Sequence, residues 1–442
     1  MARLERVLLI NYEYPPLGAG AGNATAHIAR ELVRAGTCTR VLTTRWRGLP
    51  ARASEAGVEV VRVPARRRRV DRSSPLEMLS FLAGALGPAR EAATQFRPQA
   101  CCAFFSLPSG PLALLLRRQY GIPYLVSLRG GDVPGFWPAA LGRWHLFTRP
   151  LIRVVWRHAA ALVANSAGLA ALARQTMPAA PLHIIPNGVD LTEFAPRPDE
   201  DERFLTPCGS VRTNDERPGI DNRAGDPADE LAPSSVVLPC TPVGCEKRAT
   251  LGVEDPSSSS APVRLLFVGR CVEQKGLPVL LDALGRLRAT RGLPPVQLDV
   301  VGDGPRRQAW QAQAGRLGLA DQVQFHGWAA RPALPAWYRR AHLFVFPSFE
   351  EGMPNALLEA LASGLPLLAT DIYGNRALVR PGENGLLVPP GDAAAFAQAL
   401  ATLLADPAGR AAMGQASRRL AVPYGWAAVA AAYHALLRAA HA

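Results

Sequence analysis

Glu351 and Glu359 stand eight residues apart in Glu351-Gly-Met-Pro-Asn-Ala-Leu-Leu-Glu359. Paired carboxylates at a fixed spacing are candidates for acid–base work or for binding hydroxyls. Pro354 suits the first position of a helix, and Gly352 and Met353 leave the preceding backbone free to meet a ligand. Along a helix the two carboxylates are up to ~12 Å apart at 1.5 Å per residue. A hydrolytic pair flanking one glycosidic bond is closer, at roughly 5–9.5 Å. The spacing therefore suits an elongated ligand, with one Glu at a sugar and the other at a ribose. An acidic cap followed by an exposed Glu on a surface helix is the plainer alternative.

Two other segments bear on the same chemistry. Phe267-Val-Gly269-Arg270-Cys-Val-Glu-Gln-Lys275-Gly276 ends a predicted strand and opens a helix near Leu277. A glycine and two cations at such a junction suit a diphosphate, because the helix start also offers free N–H groups. Lys275 is one of two lysines in the chain, the other being Lys247, so a compact point charge stands where arginine is the default cation. Solvated surface charge is the competing reading. The third segment, Pro15-Pro-Leu-Gly18-Ala-Gly20-Ala-Gly22-Asn23, follows the first strand and could let backbone approach a ligand, or could simply be a tight turn. A dinucleotide fold would want an acidic residue after the second strand, but Val41-Leu-Thr-Thr44 runs into Arg45 and Trp46, which argues against NAD.

The elements that must position these loops alternate. Apolar runs at Val7–Ile10, Val41–Thr44, Val58–Val63, Ala100–Phe105 and Tyr124–Leu128 are separated by helical patterns near Thr25–Ala35 and Pro75–Phe96, with Leu112–Gln119 in the same series. A second series starts at Arg264–Val268 and runs through Val296–Val301, Val323–Phe325, Leu343–Phe346, Leu367–Ala369 and Leu386–Val388. Alternation of this kind predicts an α/β protein of two Rossmann-like, doubly wound domains facing a cleft, with ligands at the carboxyl ends of the strands. The expected divisions are 1–198, an insert over 199–261 rich in Pro, Asp, Glu, Arg and Ser and reading as disordered, 262–423, and a terminal helix over 424–442.

Composition narrows the classes further. No apolar stretch reaches the roughly 18 residues of a membrane span. The run Val7–Ile10 is too short for a signal-peptide core, so cytoplasmic residence is expected. Seven irregularly spaced cysteines contain no Cys-x-x-Cys pair and read as ordinary thiols. Net charge is +13, yet residues 1–190 hold 24 Arg against 10 Asp and Glu, so the first domain carries the whole excess. Such a domain attracts anionic lipid headgroups, and peripheral contact with the inner face of a membrane is expected; arginine-rich codon usage would account for the same count. Arg66-Arg-Arg-Arg69 is short and lacks interleaved aromatics, so nucleic acid is not a predicted partner.

Together these residues resemble the donor domain of glycosyltransferase family 4, of GT-B fold: Gly269-Arg270 with Lys275-Gly276, Glu351 to Glu359, Gly364-Leu-Pro366 and Asn384-Gly-Leu-Leu-Val388. The amino half agrees through Gly18–Gly22, Ile185-Pro-Asn187-Gly-Val-Asp190 with Phe194, and the terminal Tyr424-Gly-Trp426 helix. The resemblance implies a retaining transfer from a nucleoside diphosphate sugar to an unassigned acceptor, with no metal or other cofactor. Arg270 and Lys275 would neutralise the leaving diphosphate, and Glu351 would hold the sugar hydroxyls as the third catalytic residue. Gly18, Gly20, Gly269, Gly352, Met353, Pro354, Asn355, Leu358 and Glu359 would line the donor, Glu359 at its ribose. Arg129, Asp132 and Asn187 would lie on the acceptor or sugar side. Members of the family often carry a His near the sugar where this chain reads Ser127-Leu-Arg129-Gly130-Gly131-Asp132, and Arg cannot serve as a base at neutral pH. His27, on the first helix, reads as a packing residue. A sugar-nucleotide epimerase of the same build and a catalytically idle sugar-nucleotide-binding module are the competing functions.

Overall fold

The computed structural model describes residues 3–18, 20–70, 73–136, 138–196, 261–288 and 290–442. Except for Ala261, the expected insert lies outside the described residues. The amino half contains strands β1 (Arg6–Ile10), β2 (Cys38–Thr44), β3 (Arg52–Glu55), β4 (Val58–Val63), β5 (Ala100–Phe104), β6 (Tyr124–Ser127), β7 (Ala161–Ala164) and β8 (Leu182–Ile184). They form one sheet in the order β3-β4-β2-β1-β5-β6-β7-β8. All neighbours run parallel except β3, which turns back antiparallel on β4 at the edge. Val7 of β1 sits opposite Thr39 on one side and Ala100 on the other. Helices α1 (Gly20–Arg34), α2 (Pro75–Glu91), α3 (Ser109–Tyr120), α4 (Pro138–His158) and α5 (Ala167–Thr176) connect the strands.

The carboxyl half repeats the plan with β9 (Val263–Val268), β10 (Val296–Val301), β11 (Val323–Gly327), β12 (Leu343–Phe346), β13 (Leu367–Thr370) and β14 (Gly385–Val388). Its sheet order is β11-β10-β9-β12-β13-β14, all parallel, so the strand order reverses between β9 and β12. Covered by helices on both faces, such strands need apolar residues at successive positions, which is why β12 reads Leu-Phe-Val-Phe and is buried throughout. The helices are α6 (Leu277–Leu287), α7 (Arg307–Arg316), α8 (Leu334–Arg340), α9 (Asn355–Ala362), α10 (Tyr373–Arg376), α11 (Ala393–Ala405), α12 (Pro407–Ala421) and α13 (Trp426–His441). Helix α6 buries Leu277, Leu280, Leu281 and Leu284, the i, i+3, i+4, i+7 stripe of a helix with one core-facing side.

Two segments cross between the halves. Val189 and Phe194 are buried in the core of the second sheet, where the Phe194 ring meets Tyr338 edge-on at 5.5 Å. The second domain therefore claims chain that the expected 1–198 division gave to the first, because a fully buried Phe outweighs the position of the nearest strand. In the other direction, α13 buries Trp426, Val429, Ala430, Tyr433 and Leu437. Trp426, Val429, Tyr433 and Leu437 join the core built on α1 and on β1, β2 and β5. Val189 N donates to Tyr424 O at 2.8 Å, so the two crossings run side by side.

His27 of α1 stacks flat on Trp426 of α13, with ring centroids 4.7 Å apart and planes 4° apart. Burial, aided by the nearby Arg331 and Arg30 charges, lowers its pKa from 6.5 to about 4. The native state thus binds its proton later than the unfolded chain does. Its contribution to stability is complete above pH 6.5 and is lost as the pH falls toward 4, by up to about 3 kcal/mol. Chemical denaturation of the protein and of a His27→Phe variant at pH 7 and pH 4.5 should show a smaller acid loss in the variant. Equal losses would remove His27 as the titrating group.

Candidate active site

Open parallel sheets bind ligands where the strand order reverses, because the loops leaving the two central strands turn opposite ways and leave a crevice. In the second sheet those loops follow β9 and β12, and they carry residues 269–276 and 347–354. The first ends in a short turn, Glu273–Lys275, before α6. Lys275 Nζ lies 2.5 Å from Glu351 Oε1 and 4.9 Å from the centre of the Phe346 ring. Ser348 Oγ donates to the same Glu351 oxygen at 2.8 Å, and Thr370 Oγ1 fixes the Ser348 carbonyl at 2.5 Å. Arg270 is exposed and has no hydrogen-bond or ion-pair partner among the described residues. The structure thus brings Glu351, Lys275 and Gly269 together and leaves Arg270 as the free cation beside them.

The two glutamates do not lie along one helix. Pro354 caps the helix and α9 begins only at Asn355, so Glu351 belongs to the extended approach and the 12 Å helical spacing does not apply. Their surroundings differ accordingly. Glu359 is buried; Tyr338 Oη donates to its Oε2 at 2.8 Å and Arg331 Nη1 lies 3.3 Å from Oε1. Burial raises the Glu359 pKa, and Arg331 and Tyr338 oppose that shift. Arg331 also reaches Glu193 at 3.5 Å and the Phe194 ring at 5.5 Å, and the Asn23 amide, turned so that its oxygen faces the guanidinium, accepts from Nη1 at 2.5 Å. Leu358, placed by the resemblance at the donor, is fully buried in the second core, since one residue before Glu359 the helix faces the sheet.

The first domain supplies the opposite wall. Gly18 has the left-handed φ of +78°, and a Cβ there would lie 2.4 Å from Glu13 Oε2. Glu13 is buried beside Arg67, 3.6 Å away. Burial raises its pKa; the field of Arg67, hydrogen bonds from Tyr12 and Arg67, and the field of Arg270 from the other domain work the other way. A Cβ on Gly20 would come 2.8 Å from Asn355 Nδ2, so the glycine at the start of α1 permits close approach of the two domains. Gly352 faces Asn165, whose Oδ1 would be 3.4 Å from a Cβ at that glycine.

Asn187 joins these walls. Its Nδ2 donates to Met353 O at 3.0 Å and Asn355 Oδ1 at 2.9 Å, and its backbone N–H reaches Met353 Sδ at 3.2 Å. Arg129 Nη1 donates to Asn187 Oδ1 at 2.7 Å while Nη2 reaches Tyr433 Oη at 3.4 Å, and the guanidinium sits 4.9 Å over Phe104. Asp132 accepts from Arg129 N, Ser106 N and Ser106 Oγ at 2.7–2.9 Å. Arg129 and Asp132 are therefore engaged in holding the loops after β5 and β6. Sequence reasoning passed over Glu13, Arg331, Tyr338 and Ser348. Ser348 stands three residues before Glu351 in the same segment, Phe346-Pro-Ser348-Phe-Glu-Glu351, where a lone hydroxyl carries no signal of its own; Arg331 carries none either, in a chain where arginine is everywhere. Among the described residues, no group of three or more His, Cys, Asp and Glu side chains is placed to hold a metal ion.

Two doubly wound domains, with cationic and carboxylate loops of one switch point closed over by the glycine loop of the other sheet, define a GT-B glycosyltransferase fold. Residues 262–406 match the model described as glycosyl transferases group 1, and residues 19–188 match the glycosyl transferase 4-like domain. The chain belongs to glycosyltransferase family 4. It is 39% identical over 150 residues to the lipopolysaccharide core biosynthesis glycosyltransferase LpsE of Rhizobium meliloti, a match covering 34% of this chain and 41% of that protein. A D-inositol 3-phosphate glycosyltransferase of Arthrobacter sp. is 35% identical over 42% of this chain and 45% of that protein. The chain thus spans under half the length of these two relatives. Over 94% of both chains it is 27% identical to a GDP-mannose-dependent alpha-(1-6)-phosphatidylinositol monomannoside mannosyltransferase of Mycolicibacterium smegmatis. Sucrose-phosphate synthase from Thermosynechococcus elongatus shares the fold with a TM-score of 0.74 at 21% identity over 98% of both chains. HepE of Anabaena, solved with UDP-glucose, does so with 0.66 at 19% identity over 98% of this chain and 99% of that one.

Replacing Asn187 by Ala removes both side-chain N–H donations from the domain boundary and leaves Arg129 Nη1 without its acceptor. Unsatisfied buried groups of this kind cost about 1–3 kcal/mol. Urea denaturation should show a loss of that size. An Asn187→Asp variant keeps the Arg129 contact and should recover only part of it; full recovery would show that the bonds to Met353 and Asn355 contribute little.

Proposed function

We propose that the chain is a retaining glycosyltransferase that moves a sugar from a nucleoside diphosphate sugar to a carbohydrate, lipid or small-molecule acceptor without a metal ion. The observation that carries this reading is the Lys275–Glu351 pair across the switch point of the second sheet, with Arg270, which has no hydrogen-bond or ion-pair partner among the described residues, on the same loop as Lys275. In this reading the diphosphate lies against Arg270 and Lys275, whose charge offsets what builds on the leaving group as the glycosidic bond breaks. Electrostatic stabilisation of developing charge is worth several kcal/mol when the donors are already in place. Glu351 orients sugar hydroxyls while Lys275 and Ser348 fix its rotamer, and Glu359 accepts from the ribose. The acceptor oxygen takes the anomeric carbon on the face the diphosphate leaves, its proton passing to the departing phosphate oxygen.

The relatives support a sugar-nucleotide donor: one is named GDP-mannose-dependent and one structural neighbour was solved with UDP-glucose. Their names leave base, sugar and acceptor of this chain to experiment. Cytoplasmic residence, with the work directed to cell-envelope or polysaccharide synthesis, belongs to the same proposal.

Incubation with UDP-, GDP- and ADP-sugars and a panel of acceptors should release nucleoside diphosphate only when an acceptor is present, with retained anomeric configuration in the product by NMR and no loss in chelator. Arg270→Ala and Lys275→Ala should each lower kcat about 10²–10³-fold, the usual loss when one stabilising group is removed. Glu359→Gln should act mainly on donor KM. Isomerised sugar nucleotide formed without acceptor would make the chain an epimerase, and donor binding with no turnover on any acceptor would make it a binding module.

A further inference from the structure

Lys275, Arg331 and Arg67 each face a carboxylate: Glu351 for the first, Glu359 and Glu193 for the second, Glu13 for the third. Arg270 and Arg129 do not. Neither has an ion-pair partner among the described residues, and they belong to different domains, Arg270 beside Lys275 and Arg129 on the loop after β6. A partly buried cation without a counter-ion is held at a cost, and a ligand that brings an anion removes that cost. The diphosphate of the proposed donor supplies one such anion, at Arg270. It leaves Arg129 unanswered.

The surroundings of Arg129 solvate its charge without neutralising it. Asn187 Oδ1 and Tyr433 Oη, both neutral, accept from Nη1 and Nη2, and the Phe104 ring lies against the guanidinium. Nε is buried with no partner. Asp132, the acid of the same loop, spends its oxygens on Arg129 N and on Ser106. The side chain is only partly buried, so some of it stays open to a ligand. A second group at the same place also lacks a partner. Asn165, at the carboxyl end of β7, is 5% exposed, and its buried Oδ1 receives no hydrogen bond. The position a Cβ would take on Gly352 is 3.4 Å from Asn165 Oδ1, 3.5 Å from Nδ2 and 3.8 Å from the Arg129 carbonyl. The amide therefore lies against the loop assigned above to the sugar. A tie between loops needs donors and no charge, and it gives Asn165 no reason to be buried unpaired.

We infer that Arg129 and Asn165 receive a carboxylate carried by the transferred sugar, so that the donor is a nucleoside diphosphate hexuronate. The inference rests on the proposed transfer and names the class of its sugar. The planar N–H edge of a guanidinium matches a carboxylate, Asn165 Nδ2 adds a donor beside it, and Oδ1 accepts from a neighbouring sugar hydroxyl. The anion belongs to the sugar because both residues are tied to the sugar loop: Asn165 lies against Gly352, and Asn187 joins the Arg129 guanidinium to the Met353 carbonyl one residue further on. Glu351 does not repel a carboxylate there, since Lys275 Nζ stands 2.5 Å from it.

Calorimetry of the full chain with UDP and GDP tests the donor reading by itself, and binding of neither overturns that reading and this one with it. Donors that differ only at C6 then test the inference: UDP-glucuronate against UDP-glucose, UDP-galacturonate against UDP-galactose, and GDP-mannuronate against GDP-mannose. One uronate should bind about ten- to a hundred-fold more tightly than its neutral partner, the contribution of a hydrogen bond to a charged group. Arg129→Gln should abolish that preference and leave affinity for the free nucleotide unchanged. If Arg129→Gln also weakens the free nucleotide, the boundary itself has moved, and Asn165→Ala, which keeps the Arg129–Asn187 bond, gives the comparison; it should narrow the preference about five-fold. Binding of the free nucleotide with equal affinities in every pair overturns the inference, as does a preference that both variants keep. Equal affinities joined to turnover on carboxylated or phosphorylated acceptors alone would assign Arg129 to the acceptor, and overturn it too.

Discussion

Asn187 has one side-chain amide, and every contact of that amide lies on the boundary between the two sheets. Its nitrogen donates to the backbone and side chain that open α9, and its oxygen accepts a hydrogen bond from Arg129, which is itself braced by Asp132, Phe104 and Tyr433. Moving the first domain relative to the second breaks this set before it disturbs either core. The close approaches of Gly20 to Asn355 and of Gly352 to Asn165 lie at the same boundary. The parallel crossings at Val189 and Gly425 hold the backbone at the same boundary, and α13 carries Trp426 across to His27.

Charge is distributed unevenly around that boundary, and burial decides which pairs matter. Arg376 and Asp371 form a bidentate pair with side chains 60% and 42% exposed, where water and salt screen the attraction and little stability follows. Lys275 and Glu351 are 14% and 11% exposed, and removing one partner of such a pair costs about 3–5 kcal/mol because the other is left buried and charged. A ligand anion entering here meets a lysine already neutralised and an arginine that is not. Arg270 is thus the first cation such an anion finds, while Lys275 must be shared with Glu351. Glu13 faces this region from the other domain; burial raises its pKa, and the fields of Arg67 and Arg270 oppose that shift.

Much of this was legible in the residues. Parallel strands buried on both faces advertise themselves as apolar runs, so β4 was bounded correctly at Val58–Val63, and the reversal of strand order follows from two alternating series. The loops at Gly269–Gly276 and Glu351–Asn355 drew notice as cations, carboxylates and glycines at strand ends, and the fold brings the two together at Lys275 and Glu351. What escaped has physical causes. Strand β3 is four residues long and mostly exposed, so it carries no apolar pattern. The Lys275–Glu351 contact joins residues 76 apart, which no local spacing encodes. Arg331 and Tyr338 sit on α8 and the turn before it, where Arg-Pro-Ala-Leu-Pro looks like any connection. Glu351 precedes the cap at Pro354 and is displaced from the helix, so the two glutamates do not share an axis.

That displacement changes what the two carboxylates are. On one helix they would be equivalent groups at different depths; in the fold they answer to different partners. Glu351 lies outside the helix, held by a lysine from the loop after β9 and a serine from its own, so its position is set by the switch point of one sheet. Glu359 lies inside α9 and is held by Arg331, whose other contacts, Asn23 and Glu193, belong to the first domain and to the crossing segment. The first glutamate reports the local geometry of the second domain, and the second reports how the domains sit together. A guanidinium carries five N–H donors, so Arg331 can hold all three of these oxygens at once. Joining the domains through this arginine leaves Glu359 Oε2 to Tyr338 alone, and that oxygen is the one whose partner can be exchanged without loosening the boundary.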